Sequence, residues 1–99
     1  MIRHIVFFSA ADPKDIQAIQ DGLMMLKDIP EAQHFEVGRN IKSDAISGPK
    51  IDVVVYAEFA DEAALAAYKA NPIYDACIAR VRPMREMRIA ADFEASSTN

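Results

Sequence analysis

Four strand-type runs and at least two helical stretches alternate along this chain in one fixed order: strand, helix, strand, strand, helix, strand. That order constrains the fold more than any single motif. The first run, Ile2 to Phe8, is mostly β-branched and aromatic. Neither parity in it is consistently polar, which predicts a strand buried on both faces. Asp12-Pro13-Lys14-Asp15 then supplies a cap, a proline suited to the first helical position and an acidic residue favourable to the helix dipole. Ile16, Ile19, Leu23 and Leu26 recur three and four apart, giving one apolar stripe that ends at Asp28-Ile29-Pro30.

Ala32 to Asn40 alternates, with Phe35 and Val37 on one face and His34, Glu36 and Gly38 on the other. Residues 41–50 carry serine, aspartate, glycine and proline and predict an exposed loop. Ile51 to Phe59 is the strongest strand. Ile51, Val53, Val55, Ala57 and Phe59 face one way; Asp52, Val54, Tyr56 and Glu58 face the other. Asp61 is placed to cap a helix carrying Ala64, Leu65 and Tyr68. Asn71-Pro72 ends that helix and caps a further one with Tyr74, Cys77, Ile78 and Val81. Met84 to Glu94 is the last strand.

This is a split βαβ, ferredoxin-like α+β arrangement: a four-stranded antiparallel sheet with helices on one face. The second face keeps apolar residues, and 99 residues bury only about 60–70% of their unfolded surface. A partner chain is therefore expected, two sheet faces packing into a dimeric α/β barrel. Dilution to monomer is then expected to unfold the chain. Residues 1–95 are expected to form the one domain, with 96–99 a frayed polar tail.

Composition excludes several classes. The formal charge is −4, and the only basic grouping is Arg80, Arg82, Arg85 and Arg88, which disfavours nucleic acid as a partner. A single cysteine, Cys77, rules out an intramolecular disulfide and reads as a small core residue. No metal-ligand spacing, phosphate-cradling loop or nucleophile elbow is present, so neither metal nor cofactor is expected. No signal peptide or membrane span is expected either, which points to the cytoplasm.

The residues with chemical potential are few. His4 shares a strand face with Val6 and Phe8. It suits a pocket acid/base, or a buried histidine satisfied by a neighbour. Tyr68 and Tyr74 flank the Asn71-Pro72 break, both on apolar helix faces, so both phenols are expected to point at the sheet. Ordinary core packing accounts for that first, with the hydroxyls reaching backbone or water, and a small cavity is the alternative. His34, Glu36, Tyr56, Glu58, Glu86 and Arg88 stand at alternate strand positions. They suit a polar lining, cross-strand pairs or a rim. Glu86 and Arg88 share a parity that would let either reach His4.

Taken in order, Met1-Ile2-Arg3-His4-Ile5-Val6-Phe7-Phe8, Phe35-Glu36-Val37-Gly38-Arg39-Asn40, Ile51 to Phe59 and Ala67-Tyr68-Lys69-Ala70-Asn71-Pro72-Ile73-Tyr74 resemble the stress-responsive A/B barrel (Dabb) family. The resemblance spans nearly the whole chain and implies the same dimeric barrel. It implies a pocket histidine at His4, as in the plant polyketide-cyclising members. Their motif continues as tyrosine, two residues, then His-Pro-x-His. Here Tyr68 and Pro72 match, but Asn71 and Tyr74 replace the histidines. In those cyclases the second histidine and the tyrosine form the acid/base pair for aldol-type ring closure. A phenol with a free pKa near 10 is a poor base but a good hydrogen-bond donor.

The expected catalytic or orienting groups are thus His4, Tyr68 and Tyr74, with Val6, Phe8, Val55, Asn71 and Arg88 as ligand contacts. Three functions follow as expectations. One is a homodimeric binding protein for a small apolar or aromatic metabolite. Another is a cofactor-independent enzyme of cyclase, isomerase or monooxygenase type. The third is a protective oligomer without catalysis.

Overall fold

The computed structural model describes residues 1–44 and 50–96. Strand β1 (Ile2–Ala10) leads into a 3-10 turn (Pro13–Asp15), helix α1 (Ile16–Leu23) and a second 3-10 stretch (Met24–Asp28). Strands β2 (His34–Arg39) and β3 (Val53–Phe59) follow, then helices α2 (Glu62–Ala70) and α3 (Pro72–Val81) and strand β4 (Arg85–Glu94). The sheet order is β2-β3-β1-β4, with every neighbouring pair antiparallel. The ferredoxin-like α+β architecture is the one the run order predicts.

Local chemistry sets the boundaries. The Asp12 carboxylate accepts from the Lys14 N–H at 3.0 Å, with Pro13 at the first helical position. Asp61 accepts from the Ala64 N–H at 2.8 Å and starts α2. Asn71 accepts from the Ile73 N–H at 2.9 Å and starts α3. Each satisfies a backbone donor that a helix start otherwise leaves unpaired.

The core lies between sheet and helices. Val6, Phe8, Val53, Val55, Ala57 and Phe59 form the sheet side; Ile19, Leu23, Leu26, Leu65, Tyr68, Cys77 and Val81 form the helix side. Burying each large apolar side chain contributes about 1.5–3 kcal/mol, so this layer carries most of the stability of a single chain.

Two expectations need correction. From His4 to Phe8, β1 is buried on alternate positions only; Ile5 and Phe7, on the outer face, are half-buried, because nothing in a single chain covers that face. Asp52 does not look outward from a strand. It sits just before β3 with a carboxylate that is 1% exposed, accepting from the Ala10 N–H at 2.9 Å and from Lys42 Nζ at 3.0 Å. Burial alone would raise this carboxyl, but the Ala10 N–H and the Lys42 charge outweigh it and hold it below its ordinary value. The loop expected at 41–50 and the tail expected at 96–99 lie partly outside the described residues.

On the outer face, the Arg3 guanidinium donates to the Tyr56 hydroxyl at 2.7 Å and to Glu58 at 3.1 Å, and Tyr56 donates to Glu58 at 2.6 Å. Beside this polar group, Phe7 stands between Val54 of β3 and Ile89 of β4, Ile5 stands opposite Ala91, and Phe93 stands opposite Arg3. Ile89 is 49% and Phe93 52% exposed.

Candidate functional site

A cavity of about 300 Å³ opens between the sheet and the three helices. Its floor comes from alternate positions of two central strands: His4, Val6 and Phe8 of β1 and Val55 of β3. Leu23, Leu26, Cys77, Ile78 and Val81 supply an apolar wall. Polar groups enter from Tyr68, Tyr74, Lys69, Arg82, Arg85 and Arg88.

The helix break at Asn71-Pro72 brings the tyrosines together. Pro72 lacks an N–H and Asn71 is extended, so α2 stops and α3 starts afresh. Tyr68 in the last turns of α2 and Tyr74 at the start of α3 then meet edge to face, with ring centroids 5.4 Å apart. Tyr68 also packs on Phe59 at 4.8 Å and on His4 at 6.1 Å. Its hydroxyl is fully buried and has no hydrogen-bond partner among the described residues. Burial, with the neighbouring Tyr74 adding to it, pushes that phenol well above its ordinary value. It is a hydrogen-bond donor, not a base, at neutral pH. The Tyr74 hydroxyl accepts from the Arg88 guanidinium at 3.2 Å.

His4 is 1% exposed. Its Nδ1 is hydrogen-bonded to Asp92, the residue directly opposite it on β4. A carboxylate only accepts, so the imidazole proton lies on Nδ1 and Nε2 is left as the acceptor. Burial lowers the His4 pKa, partly opposed by Asp92, so the ring is neutral at pH 7. An oriented neutral imidazole with one free acceptor nitrogen is suited to taking a proton or accepting a hydrogen bond. The Cys77 thiol donates to the Gly22 carbonyl at 3.5 Å, and burial raises its pKa, so it is a wall group and not a nucleophile.

The structure thus brings His4, Tyr68, Tyr74, Val6, Phe8, Val55 and Arg88 to one cavity. Asn71 is not among its lining residues: its side-chain oxygen is spent on the Ile73 N–H. His4 is reached by Asp92, not by Glu86 or Arg88. Glu86 is exposed, and Arg88 stands opposite Phe8. Of the other strand polar residues, Tyr56 and Glu58 pair on the outer face and His34 pairs with Glu36, away from the cavity. Asp92, Lys69, Arg82 and Arg85 were not expected at the site. Asp92 shares the parity of Arg88, but only the β1–β4 register selects it.

The family model described as the stress responsive A/B barrel domain matches residues 2–95. The chain belongs to this family. A dimeric ferredoxin-like protein of unknown function from Thermobifida fusca is 28% identical, with a TM-score of 0.79 over 95% of this chain and 90% of that one. A Dabb family protein with a ferredoxin-like fold from Mesorhizobium loti is 26% identical, with a TM-score of 0.77 over 97% of each chain. A hydroxynitrile lyase from Passiflora edulis shares the fold at 20% identity, with a TM-score of 0.77 over 99% of this chain and 95% of that one. No curated protein matches this chain. Among the described residues, no helix is long and apolar enough to cross a membrane.

Proposed function

We propose that this A/B barrel protein is a homodimer that binds a small apolar or aromatic molecule between its sheet and helices. The observation that carries the reading is the Tyr68 hydroxyl, buried without a partner among the described residues beside a cavity of about 300 Å³ with an apolar wall. A buried hydroxyl left unpaired costs about 1–3 kcal/mol, and a ligand carbonyl or hydroxyl would recover it. His4 Nε2 and the Tyr74 hydroxyl supply further orienting groups in the manner of small-molecule sites. The bare outer sheet face supports the second copy, as does the Thermobifida fusca relative, which is described as dimeric.

The chain's three tyrosines provide the test. With ring-labelled tyrosine, titration of a library of small aromatic and apolar compounds should shift the Tyr68 and Tyr74 resonances and leave Tyr56, on the outer face, in place. A library that moves none of them, or moves Tyr56 alone, would overturn the reading.

One observation favours a catalytic version of the same site. The His4–Asp92 hydrogen bond fixes the tautomer that makes Nε2 a base, and Tyr68, a donor whose ring packs 6.1 Å from His4, lines the same cavity. Such a pair suits proton abstraction beside a carbonyl, the oxyanion being held by Tyr68. The Passiflora edulis relative, named a hydroxynitrile lyase, shows that the fold carries a lyase. In this version His4→Ala lowers turnover of a substrate by about 10²–10⁴-fold, while Tyr resonances still report binding. Full turnover in His4→Ala would remove His4 from the chemistry.

A further inference from the structure

The β1–β4 pairing contains a bulge that changes the charge of the cavity. Arg88 stands opposite Phe8 and Met87 opposite Ser9, but Ala10 pairs with Arg85, so Glu86 is the extra residue. In a regular strand, residues three apart point to opposite faces. With one residue inserted, Arg85 and Arg88 both turn to the helix side, and both line the cavity. Arg82, at the C-terminal end of α3, and Lys69, in the last turn of α2, line it as well.

The three arginines are not neutralised by any described residue. Among the described residues no Asp or Glu lines the cavity, and none lies within ion-pair distance of Arg82, Arg85 or Arg88. Lys69 approaches only Asp92, at 4.0 Å. The chain has 15 acidic residues against 11 basic ones, so the shortage of carboxylates here is one of placement and not of supply. Burial, then the like charges of Arg82 and Arg88, lower the Arg85 guanidinium from its ordinary value. An anion in the cavity would relieve that repulsion. A carboxylate fits the planar guanidinium fork, which binds it through two parallel hydrogen bonds.

We propose that the cavity selects small organic acids, seating an apolar or aromatic body against Val6, Phe8, Leu26, Val55 and Val81 and the carboxylate at the Arg82–Arg85–Arg88 rim. This rests on the ligand-pocket reading above and adds the charge of the ligand to it. Tyr68 lines the same cavity and packs on Tyr74, whose hydroxyl accepts from Arg88, so its unpartnered hydroxyl is a further donor on that side of the ligand.

The test is calorimetric titration of one- to three-ring aromatic carboxylates, 2-naphthoate among them, against their neutral carboxamides. At low salt the carboxylate should bind about tenfold tighter or more, the size of a charge-assisted hydrogen bond. Arg85→Gln and Arg88→Gln should each narrow that ratio by weakening the acid more than the amide, and Arg85→Lys, which keeps the charge without the fork, should retain part of it. High salt should narrow it too. Equal binding of acid and amide leaves the pocket standing and overturns the selectivity for acids. Tighter binding of 2-naphthyl phosphate than of 2-naphthoate overturns the assignment to carboxylates. Failure of every acid and every amide to bind overturns the pocket itself, and this proposal with it.

Discussion

Tyr68 and His4 sit side by side in the cavity, yet their polar atoms are treated in opposite ways. His4 has a fixed partner in Asp92; the Tyr68 hydroxyl has none among the described residues. Removing an unpaired buried hydroxyl removes a cost, so Tyr68→Phe should leave stability unchanged or raise it by about 1 kcal/mol. The same change should weaken any ligand that bonds to the phenol. Urea unfolding checks the first part; a loss of more than about 1 kcal/mol would mean the hydroxyl has a partner in the folded chain. For His4 the sign follows from its lowered pKa. The unfolded imidazole, near 6.5, takes up a proton before the folded one does. Stability from this group is therefore complete above pH 6.5 and is lost as pH falls through the folded value. Asp92 raises the folded pKa, so Asp92→Asn should enlarge the loss on acidification, and His4→Gln should remove it. Denaturant unfolding at pH values on either side of 6.5 for the three proteins checks this; identical pH slopes would contradict it.

At the scale of elements, the helices show what was legible in the chain. Asp12-Pro13, Asp61 and Asn71-Pro72 act through backbone groups two or three residues away, so short-range chemistry fixed them without knowledge of the sheet. The facing of Tyr68 and Tyr74 followed from the same apolar periodicity. What escaped was set by pairings between distant segments. Asp92 meets His4 across 88 residues of sequence, Asp52 meets Ala10 across 42, and the extra residue Glu86 exists only relative to Ser9 and Ala10. No local pattern encodes a register. Asn71 illustrates the division: it read as both a cap and a ligand contact, and it is placed as the cap. Asn71→Ala should therefore cost about 1 kcal/mol and leave ligand affinity unchanged. Gly22 in α1 was legible only as a residue in a helix. A Cβ there would come within 2.9 Å of Val81 Cγ2, so α1 and α3 pack at glycine distance. Gly22→Ala should destabilise the chain by about 1–3 kcal/mol through overpacking, read as a lowered unfolding midpoint. A neutral result would mean that α3 can shift without disturbing the cavity wall it shares with Val81.

The whole molecule has one finished face and one unfinished face. Between sheet and helices the apolar residues are covered; on the outer face Ile89 and Phe93 remain about half exposed beside Ile5, Phe7 and Val54. A two-fold partner using the same face would cover both residues on each copy. Recovering half of the roughly 1.5–3 kcal/mol available per side chain gives about 3–6 kcal/mol gross over the pair of chains. Association itself costs on the order of 4–15 kcal/mol, so these two positions are large enough to decide the outcome but need the rest of the face to hold the dimer. Sedimentation should accordingly show a dimer, and the thermal midpoint should rise with protein concentration, as it does when assembly and folding are linked. The double variant Ile89→Lys, Phe93→Lys places four like charges in the interface. It should sediment as a monomer with a lowered and concentration-independent midpoint. Both substitutions lie across the sheet from His4, Tyr68 and Tyr74, so any ligand response that persists in the variant belongs to the single chain. A wild-type chain that stays monomeric and folded at every concentration would show instead that the outer face is stable in water.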